Sequence, residues 1–214
     1  MKKIIAFDCD STLSAIEGVD ELARLAGSEI FDQVENLTNQ AMNGEVPVEE
    51  VFGRRLDLIK PTRAQCEQVG QMYLDQIEPT AIDTIKTLQD EGWQCLIISG
   101  GFAPCIEALA EELCIKRVEA VPLHFDENGD YIGYQTDYPT TRDGGKPEII
   151  EQIKQELSPD HLIMVGDGVS DLETTPHVQD FVAFLRYVSR GKVVENSIHH
   201  AEAISDVLDI AARV

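Results

Sequence analysis

The chain has 214 residues, 43% hydrophobic and 26% charged, the proportions of a folded protein rather than a disordered one. Its 39 Asp and Glu outnumber 17 Lys and Arg, a formal charge of −22, which argues against nucleic acid and membrane as partners because both are bound through Lys and Arg. An anionic small molecule would need a local cation to reverse that field.

At about 150 residues per domain the length suits one core with an appendage. Residues 3–7 are a short, almost wholly apolar run that suits a strand buried on both faces. The acids that follow, Asp8 and Asp10, leave it too short and too charged for a signal peptide. Helical spacing then runs through 17–26 to Gly27, and through 28–42 with Ser28 as cap and Gly44 beyond. Pro47 opens a third helix through Ile59, and Thr62 caps a fourth reaching Leu74. These four helices without a strand predict an inserted helical unit over 15–78. The pattern then alternates: helix 81–90, strand 94–98, helix 103–113 and strand 117–121. A hairpin signal follows at 125–134 around Asn128-Gly129. Helix 147–157, strand 161–165, strand 180–185 and a closing helix 202–212 complete the chain. This order predicts an α/β protein, a doubly wound and mostly parallel sheet. The core is expected over 1–14 and 79–214. Five cysteines (9, 66, 95, 105, 114) without a CxxC pair read as reduced thiols, and the chain is expected to be cytoplasmic.

In such sheets ligands bind beyond the carboxyl ends of the strands. Three expected strands end in polar segments: DCDST at 8–12, SGG at 99–101 and GDGVSD at 166–171. A fourth, RDGGK at 142–146, precedes a helix. The topology brings all four to one rim. Asp8 and Asp10, spaced i, i+2 after a buried strand, would repel each other unless a cation or separate roles kept them apart. With Asp167 and Asp171 beside them they form a hard oxygen set suited to Mg²⁺. Ser99 and the amides of Gly100 and Gly101 suit phosphate oxygens. Cys9, between the two acids, should point into the core. No Ser/His/Asp arrangement or GxxxxGK loop competes.

In order and spacing these segments resemble the four motifs of the haloacid dehalogenase superfamily of aspartate-nucleophile phosphatases. The resemblance implies a Rossmann-like core with an inserted helical-bundle cap and a small β-hairpin. It also implies Asp8 as nucleophile and Asp10 as general acid and base. Mg²⁺ would be held by the Asp8 carboxylate, the Asp10 carbonyl and Asp167. Ser99 and Lys146 would offset charge on the transferring oxygens, with Asp171 supporting Lys146. The presence of Asp10 separates phosphatases from the related ATPases, which carry Thr there, but not from phosphomutases.

Within the superfamily the chain is most similar to the phosphoserine phosphatase family, including the segment 41–59. That likeness implies Glu17 for a substrate ammonium and Arg55 for its carboxylate. Met42, Gly100, Ser170 and Arg190 would line the rest of the substrate site. Val48, Val121-Pro122 and the segment LRYVSRGK at 185–192 depart from the family pattern and leave another small phosphorylated metabolite open. A phosphomutase or an idle phosphometabolite-binding protein remain alternatives. A monomer or a homodimer is expected.

Overall fold

The structure, a computed structural model, describes all residues except 43–45 and 47, and all side chains of the rest but those of 39, 41, 42 and 48. Gly44 and Pro47, expected to close one helix and open the next, therefore lie outside the described residues, as do the side chains of Met42 and Val48.

Six parallel strands form the main sheet in the order β3-β2-β1-β6-β7-β8. They are β1 (Lys3–Phe7), β2 (Trp93–Phe102), β3 (Arg117–Val121), β6 (His161–Gly166), β7 (Asp180–Phe184) and β8 (His199–Ala201). A separate antiparallel pair joins β4 (Leu123–Phe125) to β5 (Tyr131–Tyr134). The apolar run of β1 is explained by its position between β2 and β6. Ile5 and Phe7 enter the larger core cluster and Ile4 and Ala6 the other, so every residue from Ile4 to Phe7 is covered on one face or the other.

Helices α1 (Gly18–Ala26), α2 (Ser28–Met42), α3 (Val48–Ile59) and α4 (Arg63–Asp75) fill the stretch where no strand is expected. Thr62 caps α4 as anticipated: its hydroxyl accepts the Gln65 N–H at 3.2 Å while Gln65 Oε1 accepts the Thr62 N–H at 2.9 Å. The remaining helices are α5 (Ala81–Asp90), α6 (Ala103–Glu112), α7 (Gly145–Leu157), α8 (Val169–Leu172), α9 (Gly191–Asn196) and α10 (Val207–Ala211).

Helix α4 packs along α6. The hairpin braces α3 and α4: the Arg63 N–H donates to Gly129 O at 2.9 Å, and Phe52 meets Tyr134 with ring centroids 5.4 Å apart.

Several expected boundaries shift for physical reasons. The SGG segment, read as lying beyond a strand, belongs to β2. Pairing with β3 resumes past a bulge, where four steps from Ile98 to Phe102 face two from Glu119 to Val121. Helix α7 starts at Gly145 because Gly144, at φ 73°, turns the chain into it. Pro147 then sits in the first turn, where its missing N–H has no intrahelical partner to lose. The hairpin turns through residues 126–130, not through Asn128-Gly129 alone: Asp126 Oδ1 accepts the N–H groups of Asn128 and Asp130 at 2.8 and 2.9 Å. The short strand β8 carries His199-His200 and gives no apolar signal in the sequence. Helix α10 is shorter than expected, with a 3₁₀ turn over Ile204–Asp206 before it. Among the described residues no helix is long and apolar enough to cross a membrane.

Cys9, Cys66, Cys95 and Cys105 are buried and Cys114 is exposed. Burial also pushes the Cys95 thiol up to about 12. Native protein at pH 8 is expected to take an alkylating label quickly on Cys114 alone, read by peptide mass spectrometry. Rapid labelling of Cys9 or Cys105 before unfolding would contradict this packing.

Candidate active site

The strand order reverses between β1 and β6, the crevice where doubly wound sheets bind ligands. Asp8 leaves the end of β1 and Asp167 the end of β6. Both line a cavity of about 590 Å³ whose walls also hold Asp10, Glu17, Arg55, Gly100, Lys146, Ser170 and Arg190. Thus most of the residues singled out in the sequence meet in one place. Ser99 is fully buried and sits behind the wall rather than in it, its Oγ accepting the Gly101 N–H at 2.9 Å.

Lys146 is the centre of the arrangement. Its position in the first turn of α7 carries a nearly inaccessible ammonium, 4% exposed, to Asp8 Oδ1 at 2.9 Å and Asp171 Oδ1 at 2.5 Å. Burial disfavours that charge, but the two carboxylates outweigh it and hold the pKa above the ordinary lysine value. Asp171 in turn accepts the Gly168 N–H on Oδ2 at 2.9 Å. A Cβ on Gly166 would collide with the Asp171 carboxyl, so the glycine ending β6 is required by this packing. Asp8 Oδ1 also accepts the Cys9 N–H at 2.8 Å. Its Oδ2 has no hydrogen-bond partner among the described residues. Cys9 itself is fully buried in the core, as its position predicts.

Carboxylate oxygens of Asp8, Asp167 and Asp171 lie within 4.8 Å of one another. The Asp10 carboxyl turns away from this group: Oδ1 accepts the Tyr73 hydroxyl and the Gly18 N–H. Asp10 is pushed up to about 8, first by burial and then by Glu17 and Asp8, against the lowering effect of those two hydrogen bonds. Ser11 adopts φ 50°, in the left-handed region, and donates its hydroxyl to Glu17 Oε1 at 2.7 Å. Thr12 donates to Asp167 Oδ1 at 3.4 Å.

Arg55, on α3, reaches the cavity from the helical insertion and donates Nη1 to Thr38 Oγ1 at 3.5 Å. Its Nε is buried with no partner among the described residues. Burial lowers its pKa, opposed by Asp20 and Glu17. Arg190 forms an ion pair with Asp167 Oδ2. Arg186, four residues before Arg190, does not line the cavity and pairs with Glu78 at 3.7 Å. Thr38, Asp20 and Tyr187 also line the cavity and escape sequence reasoning. Asp20, one helical turn beyond Glu17, had a weak signal in its spacing; Thr38 had none.

Counting every lining acid as ionised, Asp8, Asp10, Glu17, Asp20 and Asp167 oppose Arg55, Lys146 and Arg190. That sum is −2, and it is −1 when Asp10 carries the proton its raised pKa favours at neutral pH, so the side chains alone do not attract a phosphate dianion. Hard carboxylate oxygens converging on one point in an acidic cavity fit a divalent cation such as Mg²⁺.

This fold and this carboxylate site define a class of α/β hydrolase. The family model for haloacid dehalogenase-like hydrolases matches residues 2–175, and the chain belongs to that family. Within it, phosphoserine phosphatases of Bos taurus and Homo sapiens are each 36% identical over 195 residues, covering 90% of this chain and 86% of theirs. A solved phospho-aspartyl intermediate analogue of phosphoserine phosphatase superposes with a TM-score of 0.79 at 26% identity, covering 98% of each chain.

Removing Lys146 leaves buried carboxylates facing one another without a cation. Lys146→Met in metal-free protein is expected to lose about 3–5 kcal/mol of stability, measured by urea unfolding. A loss under about 1 kcal/mol would contradict the charge balance described here.

Proposed function

We propose that this chain is a Mg²⁺-dependent phosphomonoester hydrolase converting L-phosphoserine to L-serine and phosphate through an aspartyl phosphate on Asp8. The observation that carries the reading is the buried Lys146 ammonium, which occupies Asp8 Oδ1 from one side while Oδ2 stays unpaired beside the cavity. The similarity to phosphoserine phosphatases over nearly the full length supports the substrate.

The reaction divides into two displacements at phosphorus. Asp8 Oδ2 attacks, the bond to the serine oxygen breaks, and Asp10 gives that oxygen its proton. Serine departs, and Asp10, now a carboxylate, takes a proton from water as the water oxygen attacks the phosphoryl group. Asp8 is released as a carboxylate, phosphate leaves, and Asp10 is protonated for the next cycle. The raised pKa of Asp10 suits this exchange near neutral pH. Lys146 and the Gly100 amide, with Ser99 behind it, offset charge on the transferring oxygens. Bound through Asp8, Asp167 and the Asp10 carbonyl, Mg²⁺ would supply the positive charge the cavity lacks. Asp171 keeps Lys146 in place.

Phosphoserine offers a charge to each wall: phosphate toward Lys146, carboxylate toward Arg55 and ammonium toward Glu17. A planar guanidinium matches a carboxylate with two parallel hydrogen bonds, and the unpartnered Arg55 Nε is suited to one of them. Ser170 and Arg190 complete the proposed substrate contacts. Residues 15–78 would act as a cap over the core of 1–14 and 79–214, the part that carries Arg55 closing over the site while α4 stays packed on α6, excluding water until serine has left. The unpaired cysteines fit a cytoplasmic, reducing compartment.

Phosphate release from phosphoserine is expected to depend on added Mg²⁺ and to vanish in Asp8→Asn with the fold retained. Arg55→Ala is expected to lower kcat/KM for phosphoserine by about a hundredfold, consistent with a lost charged hydrogen-bond pair, and far less for a phosphate ester without a carboxylate. Equal losses on both esters would contradict the assigned role of Arg55. Turnover of a different small phosphomonoester, with none of phosphoserine, would transfer the same chemistry to another substrate.

A further inference from the structure

Helix α4 carries one side chain into the chemistry that no motif predicts. Tyr73 is fully buried, and its hydroxyl donates to Asp10 Oδ1. The Gly18 N–H donates to the same oxygen at 2.9 Å. Oδ2 of Asp10 has no hydrogen-bond partner among the described residues. The surroundings are built around the phenol. A Cβ at Gly18 would collide with the Tyr73 hydroxyl and lie 3.0 Å from Cζ, so residue 18 must be glycine for the contact to exist. The Ser14 hydroxyl donates to Tyr73 O at 3.1 Å and Gln76 O at 3.0 Å, tying the end of α4 to the loop that follows β1.

We propose that Tyr73 is a positioning residue for the general acid: with the Gly18 amide it saturates Asp10 Oδ1, fixes the carboxyl rotamer and leaves Oδ2 as the oxygen that passes the proton. The assignment rests on the reading of Asp10 as acid and base given above. A carboxyl group held by one oxygen from two directions cannot rotate about its Cβ–Cγ bond without breaking both hydrogen bonds. The face that meets the leaving oxygen is thereby selected before substrate arrives, and proton transfer needs such alignment. Because Tyr73 belongs to the helical insertion, that insertion contributes to the proton transfer as well as to substrate binding.

The test is a double-mutant cycle between Tyr73→Phe and Asp10→Asn on the holoenzyme with phosphoserine. Tyr73→Phe keeps the ring and its packing and removes the hydroxyl. It is expected to lower kcat about tenfold, with KM changed less than about twofold. In the Asp10→Asn background it is expected to cost nothing further, because the group it orients is gone. Equal losses in both backgrounds, a loss confined to KM, or no loss would overturn the assignment. If Tyr73→Phe folds poorly, Gly18→Ala displaces the hydroxyl while keeping the tyrosine, and it must show the same dependence on Asp10. Any alkyl phosphate that the wild-type chain turns over serves as substrate. A wild-type chain inert toward all of them contradicts the phosphatase reading, whereas multiplying losses contradict the role of Tyr73 alone.

Discussion

The buried ammonium of Lys146 is the interaction on which the rest of the site depends. Asp8, Asp167 and Asp171 converge where β1 and β6 end, and carboxylates crowded away from water repel one another. A lysine delivered by the first turn of α7 and held by Asp8 and Asp171 makes the arrangement tolerable. The same contact sets the orientation of Asp8, since Oδ1 is committed and Oδ2 is not. Sheet topology, the glycine at 166 and the left-handed Gly144 all serve to bring these three side chains together.

Charge in this protein is organised by layer. The chain as a whole is at −22, and the cavity lining retains an excess of acids even after Arg55, Lys146 and Arg190 are counted. An anionic substrate is therefore repelled at long range and by the cavity walls, unless a divalent cation reverses the local field. The proposed requirement for Mg²⁺ thus follows from the side-chain balance as well as from the geometry of the carboxylates.

Much of the fold was legible because the determinants are local. The β1 run is apolar from Ile4 to Phe7 since both of its faces are covered there, and Thr62 marks the start of α4 in the sequence itself. The elements that were missed lack such signals: β8 is a three-residue polar edge, and β2 continues through Ser99-Gly100-Gly101 only because β3 pairs beyond a bulge. In the site, Asp8, Asp10 and Asp167 were readable because they follow strand ends, and Lys146 because it opens a helix at the place of the superfamily's third motif. Thr38 and Tyr73 were not, because they reach the cavity or Asp10 through the packing of helices distant in sequence. The ion pair of Arg190 with Asp167 likewise depends on tertiary contacts that no spacing encodes.

In the proposed reaction Asp8 carries the phosphoryl group during turnover. The most direct test of this step is acid quenching of the enzyme while it turns over phosphoserine with Mg²⁺, followed by peptide mass spectrometry. A phosphoryl group is expected on the peptide spanning residues 4–24, localised by fragmentation to Asp8 and lost at alkaline pH as acyl phosphates are. Turnover with no phosphorylated peptide at any quench time, or a phosphoryl group localised to another residue, would contradict it.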